Sequence, residues 1–276
     1  MRTRTVRLPG SGLELEVLEG DTLIGPAIER GAWEEHETAL FRAHLAPGAR
    51  VLDLGANVGW YAVQAVLAGC EVEAFEPVQE IAEVLRRNLE RAERRGPGRA
   101  RVHVRAAGDA GGRARIALAA ENRGDNRVLA TGTGRPADMG PGETLEIEVA
   151  RVDDLVQGPF RVIKIDTQGS EWLALRGMQR VLDASREVAL FLEFWPYALR
   201  GGEPIGMLER LRGLGFTLGK ATAAPYPMAP ERILEQALAR DPVKGGLDLY
   251  ATRGVPFHVL GAGARLRGMA RSLREG

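Results

Sequence analysis

The chain has 276 residues, 45% of them hydrophobic, enough for one substantial core with decorations. Lysine plus arginine and aspartate plus glutamate both number 37, so the formal net charge is zero and selects neither nucleic acid nor a membrane surface as partner. The single cysteine, Cys70, excludes an intrachain disulfide and a thiolate metal cluster. The first residues lack the apolar core of a signal peptide, and no run approaches the ~18 apolar residues of a membrane span. A reducing cytoplasm is the expected setting.

Residues 1–20 alternate weakly through Leu13, Leu15 and Val17, with turns at Pro9-Gly10 and Glu19-Gly20, and predict a short hairpin. Residues 21–46 read as helical, with Leu40, Phe41 and Leu45 on one side and Pro47-Gly48 as the stop. The segments 1–46 together form an N-terminal cap. From 47 to 255 strand-like and helix-like segments alternate. Strands are predicted at Val51-Leu52-Asp53-Leu54, at 72–75, from Val102, at 162–166 and at 188–193. Helices are predicted from Trp60 to Leu67, from Gln79 to Arg94, and around Trp172, Leu173, Leu175 and Met178. Such spacing implies right-handed crossovers, a mostly parallel sheet and helices on both faces, the Rossmann-like α/β class. Residues 110–150 break the rhythm as a β-rich insertion, with a flexible loop near 131–143. Residues 256–276 are an Arg-rich tail.

The strongest local signal is Asp53-Leu54-Gly55-Ala56-Asn57-Val58-Gly59, placed after a strand and opening a helix. Glycines at 55 and 59 let the backbone turn sharply and approach a ligand. Asp53, at the strand's carboxyl end, suits the amino group of S-adenosylmethionine and repels a pyrophosphate. Asn57 stands where the dinucleotide pattern needs its second glycine. Glu76, in Phe75-Glu76-Pro77, ends the next strand in the crevice where open sheets bind ligands, and can accept from both ribose hydroxyls. A plain tight turn and a solvated strand-end glutamate are the structural alternatives.

These blocks resemble the FkbM family of methyltransferases over about residues 30–220. The likeness also runs through Gly31-Ala32-Trp33-Glu34, Asn88, Ala106-Ala107-Gly108-Asp109 and Asn122-Arg123-Gly124-Asp125-Asn126-Arg127. It continues in Val152-Asp153-Asp154-Leu155, Lys164-Ile165-Asp166-Thr167-Gln168-Gly169 and Leu192-Glu193-Phe194-Trp195-Pro196. The resemblance implies a class I methyltransferase fold with S-adenosylmethionine over the glycine turn. On that basis Asp53, Gly55, Asn57 and Gly59 would hold its methionine and ribose side, with Ala56, Trp60 and Pro77 alongside. Glu76 would hold the ribose, Ala107 and Asp109 would flank the adenine, and Glu34 would close over the cofactor. Many members carry Glu where this chain has Gln168, so a role needing charge there is not carried over.

Methyl transfer is an in-line displacement, served by alignment and by a base for the nucleophile's proton. Asp166 ends the strand expected beside the cofactor strand and is the leading candidate to position the acceptor or take its proton. Its other readings are a contact with the cofactor's amino-acid end and an N-cap for the helix starting near Ser170. Glu193 ends the following apolar strand, where an acid is costly unless paired or functional. Trp195 and Tyr197 could wall the acceptor pocket or merely cap the core. Lys164 shares strand parity with Asp166 and could neutralise it. Asp125, Asn126 and Arg127 sit in the excursion, where they could meet the acceptor or form a polar turn. His36, His44, His103 and His258 show no metal-ligand spacing, so no metal is expected. Cys70 reads as a buried, inert thiol.

The resulting expectation is a methyltransferase acting on a hydroxyl, less readily an amide or amine nitrogen, of a sugar, secondary metabolite or peptide. Two alternatives stay open. One is a nicotinamide-dependent oxidoreductase on the same kind of sheet. The other is a catalytically silent S-adenosylmethionine-binding module.

Overall fold

The computed structural model describes residues 2–8, 12–31, 33–119, 122–130, 132, 134–242 and 246–258. Strands β1 (Thr3–Arg7) and β2 (Glu14–Leu18) pair antiparallel as a hairpin, Thr3 opposite Leu18. The stretch predicted as one helical run over 21–46 is two helices, α1 (Ile24–Arg30) and α2 (Glu35–Ala43). Asp21 starts the first, its Oδ1 accepting from the Leu23 and Ile24 amides. Gly31 ends it in the left-handed region (φ 66°), and Glu34 precedes the second at φ 44°. A positive φ at a glutamate is strained, and it turns the Glu34 side chain inward toward the sheet's carboxyl edge, where its carboxylate lines a cavity.

Next come β3 (Arg50–Leu54), α3 (Trp60–Leu67), β4 (Glu71–Phe75), α4 (Gln79–Glu93) and β5 (Arg99–His103). An excursion of short strands follows: β6 (Ala106–Ala107), β7 (Gly112–Ala117), β8 (Arg127–Val128) and β9 (Thr144–Ala150). The chain then runs through α5 (Val152–Leu155), β10 (Val162–Ile165), α6 (Glu171–Arg176), α7 (Gln179–Ala184) and β11 (Val188–Phe194). It closes with α8 (Pro204–Gly213), β12 (Thr217–Lys220), α9 (Pro230–Leu238) and β13 (Leu247–Arg253).

Seven strands form the main sheet in the order β12-β13-β11-β10-β3-β4-β5. The block β11-β10-β3-β4-β5 is parallel, as the βα spacing predicts, and β13 runs antiparallel to both its neighbours. Strand alternation divides the apolar residues between two cores. Val51, Val72, Val162, Ala189 and Phe191 pack with α2, α3, α4 and the hairpin on one face. Leu52, Leu54, Ile163, Ile165, Leu190 and Leu192 pack with α6 to α9 on the other. Sheets covered on both faces read as near-continuous apolar runs, and these strands do.

Helix α4 carries Ile81, Val84, Leu85 and Leu89 on its buried side, the i, i+3, i+4, i+8 stripe of a core-facing helix. Asn88 is the polar exception, 0% exposed and fully bonded. Its amide donates to the Glu16 and Val58 carbonyls (2.8 Å each), and its oxygen accepts from the Glu16 amide at 2.7 Å. One side chain thereby ties hairpin, helix and glycine turn together. The excursion forms its own sheet, β6-β9-β7-β8. In the described part of the segment predicted as flexible, Arg135 donates to the carbonyls of Leu118 (2.7 Å), Glu143 (3.0 Å) and Met139 (3.2 Å). Most of the Arg-rich tail, from residue 259 on, lies outside the described residues.

Candidate active site

The glycine turn joins β3 to α3 and opens on the sheet's carboxyl edge. Asn57 occupies the left-handed region (φ 49°), which asparagine tolerates better than most residues. Its Oδ1 accepts from the Val58 amide at 2.7 Å, and its own amide donates to Glu76 Oε2 at 3.1 Å. Glu76 Oε1 accepts from the Val78 amide at 2.9 Å. Two strand ends are thus laced by one carboxylate, 6% exposed, whose burial lifts its pKa to about 7 against the pull of those two amides. Gly55 and Gly59 are glycines for packing as much as for ligand approach. At Gly55 (φ 85°) a Cβ would lie 1.8 Å from the Asp166 carbonyl oxygen, and at Gly59 (φ 98°) it would lie 2.7 Å from Leu85 Cδ1.

The reacting side follows from strand parity. Asp53 and Lys164 are directly paired across β3 and β10, and side chains two apart share a face. Asp53, Lys164, Asp166 and Glu193 therefore project on the α2 side of the sheet, at its carboxyl end. Glu193 stands opposite Asp248 across β11 and β13. Lys164 is 1% exposed and sits 2.9 Å from Glu37 Oε1 and 3.4 Å from Asp166 Oδ2. Its ammonium lies 5.1 Å from the centre of the Tyr61 ring. The surrounding carboxylates hold its proton on, outweighing the burial that would strip it, so its pKa lies well above the ordinary lysine value.

Burial acts in the other direction on the acids. It lifts Asp53 to about 7, with Lys164 opposing and Asp166 adding to the rise. Glu34 also reaches about 7, while Glu37 and Glu193 stand well above the carboxylate range. Tyr61 donates to Glu34 Oε2 at 2.5 Å. Asp53 is 2% exposed and its Oδ2 has no hydrogen-bond partner in the protein.

Gln168 takes a left-handed backbone (φ 51°) and places its amide nitrogen 2.7 Å from both Asp166 Oδ1 and Glu193 Oε2. The two candidate catalytic acids are bridged by one neutral donor, which a glutamate at that position could not supply. Asp166 does not cap the following helix. Ser170 is its N-cap and makes no side-chain capping bond, while Glu171, the first helical residue, ties down the turn before it, accepting from the Thr167 amide (2.9 Å), the Thr167 hydroxyl (3.0 Å) and the Gly169 amide (3.1 Å).

Two adjoining cavities share Gly55, Asn57, Gly124, Asp166 and Gln168 in their walls. The larger, about 770 Å³, is also lined by Glu34, Asp53, Ala56, Trp60, Glu193 and Trp195. The smaller, about 50 Å³, lies among Glu76, Pro77, Ala107, Asn126 and Val128. The structure thus brings together every predicted site residue except two. Gly59 supports the turn from behind. Asp109 is on the surface, paired with Arg176, and lines neither cavity. Ala106 and Ala107, just before it in the chain, line the smaller cavity.

Of the aromatic pair, Trp195 lines the larger cavity, whereas Tyr197 is exposed and donates to the Leu238 carbonyl at 2.8 Å. Asp125 reaches the larger cavity and Asn126 the smaller. Arg127 stacks over Trp195 at 4.4 Å while forking onto Asp125 (2.9 Å) and Asp138 (2.6 Å). His36 is half-buried and lines neither cavity; Cys70 is buried.

Sequence reasoning missed Glu37, Tyr61 and Asp248. Glu37 shares a helix face with Leu40 and Phe41, at i+3 and i+4, so an acid inside that apolar stripe was the available signal. Asp248 sits between Leu247 and Leu249 of a buried strand, and only the antiparallel register with β11 sets it against Glu193.

The model of the methyltransferase FkbM domain matches residues 53–218, well over half of the chain. Curated proteins yield no match. Among solved structures, methyltransferase FkbM from Methylobacillus flagellatus KT is 19% identical with a TM-score of 0.46; the alignment covers 78% of this chain and 47% of that one. The present chain therefore spans about half the length of that relative. The magnesium protoporphyrin IX methyltransferase of Synechocystis PCC 6803, with bound SAM, is 12% identical at a TM-score of 0.46, covering 84% of this chain and 85% of that one. The Pyrococcus abyssi tRNA (uracil-54, C5)-methyltransferase, in complex with S-adenosyl-L-homocysteine, is 12% identical at a TM-score of 0.43, covering 92% and 44%. The fold is α/β, a mixed sheet covered by helices on both faces, over which the methyltransferase FkbM domain match runs. Among the described residues no helix is long and apolar enough to cross a membrane.

Proposed function

We propose, for a chain that belongs to the FkbM methyltransferase family and uses S-adenosylmethionine as its methyl donor, that the group methylated is a hydroxyl of a sugar, secondary metabolite or peptide. An amide or amine nitrogen is the less favoured nucleophile. The observation that carries the cofactor side is Asp53. A buried carboxylate with an unpartnered oxygen faces a 770 Å³ cavity beside the glycine turn, and a cationic donor resolves both its desolvation and its missing bond.

In this reading Asp53 takes the cofactor's amino group, with Gly55, Ala56 and Asn57 beneath the methionine and Trp60 beside it. Glu76 keeps its two backbone donors and offers its remaining lone pairs to the ribose diol. Pro77 and Ala107 flank the base. The recess there is about 50 Å³, and Asn126 and Val128 also line it. The bound cofactor supplies a methyl group made electrophilic by its sulfonium. The protein's share is alignment: Asp166, held by Lys164 and Gln168, accepts the hydrogen bond of the acceptor hydroxyl and then its proton, while Glu193 fixes the acceptor from the adjoining strand. Residues 1–46 act as a cap, sending Glu34 over the site.

The fold is shared with RNA methyltransferases and does not by itself separate a small acceptor from RNA. The carboxylate-lined cavity, which repels phosphate, supports the small acceptor. The lone buried cysteine supports a reducing, cytoplasmic setting. The test is calorimetry with S-adenosylhomocysteine. Micromolar binding is expected, and a flat titration of the folded wild type rejects the reading.

A further inference from the structure

We propose that the acceptor carries a protonated amine beside its hydroxyl, and that this ammonium is held by Glu34, Glu193 and Asp248 in the larger cavity, which Trp33 and Trp195 also line. The inference rests on the methyltransferase reading and names the class of acceptor: a polyhydroxylated amine such as an amino sugar.

Three observations carry it. First, Glu193 and Asp248 are directly opposed on β11 and β13, and both line the cavity. Two carboxylates in that position repel unless a proton is kept on one or a cation lies between them. Secondly, carboxylate oxygens of Glu34, Glu37 and Asp248 lie within 4.8 Å of one another. Within this group Glu37 is 1% exposed and its Oε2 meets no donor. Thirdly, among the described residues lining the cavity Lys164 is the sole cation, and it is committed to Glu37 and Asp166. The cofactor brings an ammonium and a sulfonium but also a carboxylate, and Asp53 claims the ammonium. A second positive charge is still called for on the Glu193–Asp248 side.

An organic ammonium fits better than a divalent ion. An ion among Glu34, Glu37 and Asp248 would adjoin the Lys164 ammonium, 2.9 Å from Glu37, and Glu34 Oε2 already accepts from Tyr61. Trp33 and Trp195, which also line the cavity, bring no oxygen ligands for a divalent ion, whereas aromatic rings suit an organic cation. Burial holds protons on Glu193 and Asp248 above the usual carboxylate range, so an arriving ammonium displaces protons as it binds.

The experiment titrates full-length protein, saturated with S-adenosylhomocysteine, with glucosamine, galactosamine and 2-deoxystreptamine, each beside its N-acetylated counterpart. Calorimetry is run in two buffers of different ionisation enthalpy. At least one amine should bind tenfold or more tightly than its acetylated partner, with net proton release. Glu193→Gln and Asp248→Asn should each weaken the amine tenfold while S-adenosylhomocysteine affinity stays within twofold. Equal or tighter binding of the acetylated forms overturns the proposal. So does failure of every amine to bind at millimolar concentration, or Mn²⁺ competing with the amine for the same site at micromolar concentration. Absence of S-adenosylhomocysteine binding overturns the parent reading, and this inference with it.

Discussion

Replacing Glu76 by alanine tests the cofactor site at its most exactingly built position. The carboxylate accepts from the Asn57 and Val78 amides and is proposed to take both ribose hydroxyls as well. Hydrogen bonds to a charged group contribute about 1.5–3 kcal/mol each, so losing the two ribose bonds costs ~3–6 kcal/mol. At ~1.4 kcal/mol per decade, affinity for S-adenosylhomocysteine should fall by about 10²–10⁴, from micromolar to ~0.1–10 mM. The same substitution strands two backbone donors, at about 1–3 kcal/mol each, so the melting temperature should drop too. Glu76→Gln separates the effects, because its amide oxygen still serves one backbone donor while the charge is gone. Calorimetry on both variants, with circular dichroism confirming the fold, supplies the measurement. An affinity within threefold of wild type in a folded Glu76→Ala protein refutes the reasoning.

Asp53→Asn should stabilise the cofactor-free protein while abolishing cofactor binding. The aspartate's pKa rises on folding from 3.8 to about 7, so its contribution is fully present below 3.8 and lost as pH climbs through 7. At about 1.4 kcal/mol per unit the gain at pH 8 approaches ~4 kcal/mol and vanishes near pH 4. Urea melts at the two pH values check it, and equal stabilities at pH 8 count against a desolvated Asp53. Gln168→Glu puts a third acid between Asp166 and Glu193 in place of two donated bonds. A fall in kcat/KM of about 10² and a displaced pH profile are expected from lost charge-assisted bonds and like-charge repulsion; an unchanged profile would remove Gln168 from its positioning role. Arg127→Met should release the Trp195 wall, raising the acceptor KM severalfold for a contact of ~0.5–2 kcal/mol. Cofactor affinity should be unaffected, and a change in it alone would contradict the assignment.

The sheet and its main helices were legible because their signals are local: apolar runs of strand length, helical stripes and glycine turns at the joints. The positions of Asp53, Glu76, Asp166 and Glu193 were legible for a related reason: each lies within one residue of the end of a parallel strand, at the edge where an open sheet forms its crevice. The break at Gly31–Glu34 was not. It depends on a glutamate held at positive φ by its tertiary contacts, and residue propensity runs against that geometry. Asp248 needed a register between strands more than fifty residues apart, and Glu37 needed the docking of α2 on the sheet. Asp109 misled because its block points to a turn beside the cavity, while the direction of one side chain within that turn is set by Arg176.

The Asp166 carbonyl leaves no room for even a methyl group at Gly55. The turn proposed to lie beneath the donor and the acid proposed to face the acceptor are consequently in direct backbone contact, and neither can shift without the other. Change of substrate during divergence has to come from the periphery: the capping segment that bears Glu34, the excursion behind Arg127, and the antiparallel strand carrying Asp248. Libraries aimed at new acceptors should be confined to those three rims, leaving the hub untouched.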